Sequence, residues 1–136
     1  MDSSIQNSKI KSQNCNSKFK IGIRERTYKY ALMVIKAIDK LPKEMTSATI
    51  GRQLLRSGTS VGANVAEARS ASSKRDFINF LTYALKSANE SKFWIDLIKD
   101  SGKLSPQEIK DLAQETNEIC RILAASLLTL KKQTRL

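Results

Sequence analysis

Residues 56–68, Arg-Ser-Gly-Thr-Ser-Val-Gly-Ala-Asn-Val-Ala-Glu-Ala, gather more chemistry-bearing types than any other stretch of the chain. Glycine-rich segments of this kind can cradle a phosphate. A phosphate loop, however, needs Lys followed by Ser or Thr after its last glycine, and Gly62 is followed by Ala63 and Asn64. A dinucleotide fingerprint needs GxGxxG behind a strand, and neither part is present. A hinge would break the apolar phase, yet the stripe runs unbroken from Leu54 to Ala68. What remains is a helix with one small-residue face. Each mid-helix glycine costs about 1 kcal/mol relative to alanine. Gly58 and Gly62, one turn apart and extended by Ser57 and Ala66, therefore predict close approach of a neighbouring backbone.

Acid–base and metal chemistry have little to work with. Histidine is absent, which removes the side chain most used for proton transfer near neutrality and for ligation. Di-metal sites in helical bundles use Glu-x-x-His motifs. Cys15 and Cys120 form no zinc-type spacing and read as reduced thiols of a cytosolic protein, Cys120 on the core side of a helix. No serine or cysteine has an evident base partner. The expectation is a protein without enzymatic activity, cofactor or metal. The polar residues instead suggest a structural network. Arg56, Ser60, Ala63 and Glu67 share one helical strip with Asn64 beside it, and Tyr83, Ser87, Glu90 and Trp94 share another. If the strips meet, Arg56 pairs with Glu67 or Glu90; the alternative is that all three charges face solvent.

The 24 lysines and arginines against 13 carboxylates leave a formal charge of +11, an excess that attracts polyanions. Nucleic acid, an acidic protein and an anionic membrane surface are all partner classes of that kind. Candidate phosphate contacts are Lys29, Lys36, Lys40 and Lys43, then Arg52 and Arg56, then Lys131 and Lys132. Lysines outnumber base-stacking aromatics, so binding to RNA or DNA would be phosphate-led and steeply salt-dependent. The competing expectation is an oligomeric scaffold that docks an acidic protein and ignores nucleic acid. No apolar run approaches the roughly 18 residues of a membrane span, and the first 20 residues lack the apolar middle of a secretory signal.

The elements that carry these residues are helices, since glycine and proline are few and apolar residues recur at 3–4 spacing. Residues 1–20 are polar and basic, a flexible tail and candidate polyanion-binding arm. A first helix is expected from about Arg24 to Lys40, with Tyr28, Ala31/Leu32, Ile35 and Ile38 facing the core and Leu41-Pro42 stopping it. A second, capped by Thr46 or Ser47, carries Ile50, Leu54, Gly58, Val61, Val65 and Ala68. Ser73 caps a third over Lys74 to Asp100, ended by Ser101-Gly102, with Phe77, Phe80/Leu81, Ala84, Ala88, Ser91, Ile95 and Ile98 on one side. Ser105-Pro106-Gln107-Glu108 starts a fourth, whose stripe is Ile109, Leu112, Thr116, Ile119, Leu123, Leu127 and Leu130. Four long amphipathic helices with short connections predict an all-α, antiparallel up-and-down four-helix bundle over residues 21–136.

With these residues in place, the chain resembles the four-helix bundle proteins encoded in intervening sequences of bacterial 23S ribosomal RNA genes. The matching signature is residues 57–67, Ser-Gly-Thr-Ser-Val-Gly-Ala-Asn-Val-Ala-Glu, continuing through Phe77, Phe80-Leu81, Ala84-Leu85, Ser87, Glu90 and Gly102. Ala68 departs from it, because the family often has glycine there. The resemblance implies a protomer that assembles into a ring, often a pentamer. It also implies kinship with the basic accessory protein of diversity-generating retroelements, which assists a reverse transcriptase with RNA. It supplies no catalytic residue; Gly58, Gly62, Asn64, Glu67 and Glu90 carry over as structural signature positions.

Overall fold

The helix boundaries follow local chemistry written into the chain. The computed structural model describes residues 22–134; the expected tail and Cys15 lie outside them. Among the described residues there are four helices and no strand: α1 over 22–39, α2 Met45–Ala68, α3 Lys74–Asp100 and α4 Pro106–Thr134. Ser73 accepts from the Asp76 N–H at 3.0 Å, while the Asp76 carboxylate takes the Ser72 N–H at 3.0 Å. At α4 the box is reciprocal, with Glu108 N–H to Ser105 Oγ at 3.2 Å and Ser105 N–H to Glu108 Oε2 at 2.8 Å. Gly102 adopts φ +71°, and Lys103 N–H reaches back to the Ile98 carbonyl at 3.2 Å, closing α3 in a left-handed cap.

One start differs from expectation. Neither Thr46 nor Ser47 caps α2, which begins earlier behind Glu44. Ser47 is buried and donates to Glu44 Oε1 at 2.9 Å, and Lys103 reaches the same oxygen at 2.5 Å from the α3–α4 turn. A carboxylate at a helix N-terminus is favoured by the dipole, and Lys103 and Ser47 hold that carboxyl below its ordinary range. The contact ties the two turns at one end of the bundle.

Pairings along the helices show an antiparallel circuit. Gly62 lies against Thr27, Gly58 against Val34 and Gly51 against Ile38 and Leu41, so α2 runs down α1. Ser57 meets Ser91 and Ser60 meets Ser87, placing α3 beside α2. Tyr30 and Arg26 reach Thr116 and Glu115, which closes α4 onto α1. The expected stripes of α2, α3 and α4 form the core, from Leu54 and Val61 through Ala84, Ala88 and Ile95 to Leu112, Ile119 and Leu123.

The stripe expected for α1 is corrected except at Ile38, which packs half-buried against the core. Ile23, Thr27, Tyr30, Val34 and Ala37 face the core, whereas Tyr28, Leu32 and Ile35 are exposed. This helix carries apolar residues on two faces, and the inner set fits because Val34 and Thr27 nest against glycines of α2.

Candidate nucleic-acid interface

The glycines of α2 do what their spacing predicts. A Cβ at Gly58 would fall 2.8 Å from Val34 Cγ2, and one at Gly62 would fall 3.2 Å from the Thr27 carbonyl oxygen. Gly51, not singled out by the sequence, is as tight, 2.9 Å from Leu41 Cδ1. Only a missing side chain lets α1 come this close. Of the small residues thought to extend that face, Ser57 turns to α3 and Ala66 to solvent.

The other flank of α2 builds the polar seam expected against α3. Arg56 pairs with Glu90 and with Gln53 Oε1 at 3.0 Å, and the Trp94 indole donates to the same Glu90 oxygen at 3.0 Å. Ser87 donates to Ser60 at 3.0 Å, and Asn64 donates to both the carbonyl and the hydroxyl of Ser60. Glu67 is exposed. Inside this seam lies a hydrogen-bonded layer that the sequence does not reveal, although Ser91 and Thr116 fall on the expected core stripes. Tyr30, Ser57, Ser91 and Thr116, one from each helix, are fully buried. The Tyr30 and Thr116 hydroxyls lie 2.7 Å apart, and Ser57 and Ser91 2.8 Å. Thr116 donates to the Leu112 carbonyl at 2.7 Å, which leaves Tyr30 as the donor to it, whereas Ser57 and Ser91 each also reach a carbonyl of their own helix, Leu54 at 3.4 Å and Ser87 at 2.8 Å. Burial pushes the Tyr30 hydroxyl up to about 12. Among the described residues no buried side-chain polar atom lacks a partner, so the layer fixes register without leaving an orphaned group.

The candidate cations are all exposed but are not gathered into one patch. Lys29, Lys36 and Lys40 follow one arc of α1, with Lys29 held by Glu25 at 3.1 Å and Lys40 near enough to Glu108 to help lower its carboxyl. Lys43 lies in the α1–α2 turn and Arg52 on the outside of α2. Lys36, Lys43 and Arg52 have no carboxylate within 4.0 Å among the described residues. Arg56 is engaged with Glu90, while Lys131 and Lys132 sit at the opposite end of the bundle from Lys43. Cys120 is half-buried and unpaired, its thiol pushed up by burial.

A second surface was not anticipated. Exposed Tyr28, Leu32 and Ile35 run along α1, and Leu55 of α2 lies at the level of Ile35. Tyr28 also lines a groove of about 560 Å³ together with Thr27, Ala31, Gly62, Ala63 and Ala66 among others. The 3–4 spacing of Tyr28, Leu32 and Ile35 is legible in the sequence, but there it reads as a core stripe.

The family model for the 23S rRNA-intervening sequence protein matches residues 20–125. The chain belongs to this family. The crystal structure of a protein of unknown function from the S23 ribosomal protein family of Bacteroides thetaiotaomicron is similar, with 30% identity and a TM-score of 0.75. That match covers 80% of this chain and 97% of the other. No curated protein matches. The match to the intervening-sequence family contains every helix except the end of α4, so both the glycine seam and the buried hydroxyl layer fall inside it. No helix among the described residues is long and apolar enough to cross a membrane, and none of their His, Cys, Asp or Glu groups forms a metal-type cluster.

Proposed function

We propose that this member of the 23S rRNA-intervening sequence family is a non-enzymatic, basic accessory protein that binds RNA or DNA as a homo-oligomer. The observation that carries the proposal is the set of exposed cations without carboxylate partners, Lys36, Lys43 and Arg52, on a chain of net charge +11. Cations spread around a bundle neutralise backbone phosphates rather than read base edges. The outward stripe of α1 supports assembly, since monomers rarely leave contiguous apolar surface uncovered. A pentameric ring is the assembly that family resemblance favours, and it would multiply the charge met by one nucleic-acid strand. The kinship with retroelement accessory proteins that the resemblance implies makes a reverse transcriptase the protein partner of choice.

Titrating labelled RNA and DNA at several salt concentrations tests this. Expected is binding whose affinity falls linearly with the logarithm of salt concentration, by a particle several protomers in mass. Absence of binding at low salt, with a nuclease-resistant acidic protein captured instead, overturns it in favour of the scaffold alternative.

A further inference from the structure

The outer face of α3 combines three features that no other exposed helix face among the described residues shows together. Tyr83 and Phe93 are 53% and 58% exposed, large values for aromatic rings. Lys86 lies between them, exposed and with no carboxylate within 4.0 Å among the described residues. Exposed Asn79 and Asn89 flank the strip with hydrogen-bonding amides. Helical geometry puts Tyr83, Lys86 and Phe93 within an arc of roughly 80°, the rings separated by about 15 Å along the axis.

Phe93 does not swing freely. Its ring packs edge-on against Trp94, with centroids 4.9 Å apart at 75°. Trp94 is fixed in turn through its indole N–H to Glu90, and Glu90 through Arg56 of α2. The cross-helix Arg56–Glu90–Trp94 network thus pre-orders the Phe93 end of this strip outside the bundle, reducing the entropy lost when something stacks on it.

We infer that the Tyr83–Lys86–Phe93 strip of α3 is a stacking platform for unpaired nucleotides, so that the protein prefers single-stranded over duplex nucleic acid. This rests on the nucleic-acid reading above and specifies its substrate. A strand offers flat bases to the rings and phosphates to Lys86 at once. A second copy of this chain would bring Lys86 against another strongly cationic surface. Glu90, the carboxylate nearest on this face, is already neutralised by Arg56.

The test uses the full chain, a labelled oligouridylate and an RNA duplex of equal length. The double variant Tyr83→Leu/Phe93→Leu keeps apolar bulk and helix propensity but removes both π-faces. Expected is a loss of single-strand affinity of roughly 10-fold or more, unchanged duplex binding and an unchanged salt slope. Tyr83→Leu combined with Phe93→Tyr should recover part of that loss, and Lys86→Gln should instead lower the salt slope by about 1. Wild-type binding that the double variant leaves intact overturns the platform while sparing the nucleic-acid reading. A change in particle mass with RNA binding retained also overturns it, making this face a contact between copies. If the wild-type chain binds neither probe, the broader reading fails with it.

Discussion

At the level of single residues, a glycine carries the closest helix contact. Alanine at Gly58 should gain about 1 kcal/mol of helix propensity, yet its Cβ would press into the fully buried Val34 at 2.8 Å. Over-packing in a filled core costs about 1–3 kcal/mol, and Val34 has no room to retreat, so Gly58→Ala is expected to lower the melting temperature. Val34→Ala introduced beside it should cost less than in the parent, a coupling that a double-mutant cycle would read. Tyr30 gives a sharper signature. Its hydroxyl is held protonated to about pH 12 in the folded state against an ordinary value of 10.0. The folded form therefore retains a proton that the unfolded chain releases, so the contribution is whole below pH 10 and is lost as pH rises through 12. Denaturant melts of the parent should weaken across that window by about 2–3 kcal/mol from this group. Tyr30→Phe, which costs about 1 kcal/mol at neutrality through its lost hydrogen bond, should remove that part of the slope. Neither residue stood out equally in the sequence. The glycines declared themselves because a helix tolerates them only for a reason, whereas Tyr30 looks like any aromatic two positions from Tyr28.

Helix ends were legible and helix faces were less so. Ser73, Gly102 and the Ser105–Glu108 box act within a few residues, so their chemistry needs no knowledge of the partner helices. The α2 start escaped because Glu44 is held by Lys103, 59 residues away. Orientation of α1 escaped for a different reason. Both Tyr28–Leu32–Ile35 and Tyr30–Val34–Ala37 are spaced for burial, and only the glycine notch on α2 decides between them. The candidate cations were legible as exposed residues, but their scatter depends on how four helices are arranged. Gly102→Ala tests the local logic: at φ +71° the added Cβ meets no neighbour, so its cost, about 1 kcal/mol, is purely the left-handed backbone penalty. Chemical denaturation should show that loss without any change in RNA affinity.

At the scale of the molecule, the proposed function assigns two outward surfaces different partners: the apolar stripe of α1 for copies of the chain, and the cations with the α3 rings for a strand. They are separable by substitution. Leu32→Gln/Ile35→Gln replaces two partly exposed apolar residues with neutral helix formers, leaving both the fold and the charge of +11 in place. Sedimentation equilibrium should show the assembly shifting to protomers. Because each protomer then meets a strand alone, fewer phosphates are neutralised per particle and fewer counterions are released. Affinity for RNA at moderate salt should consequently fall steeply, and the salt slope with it, although no residue expected to touch RNA has changed. Were affinity and slope to survive dissociation, each bundle would be a self-sufficient binding unit, and the outward face of α1 would need some other partner to explain why it is left apolar.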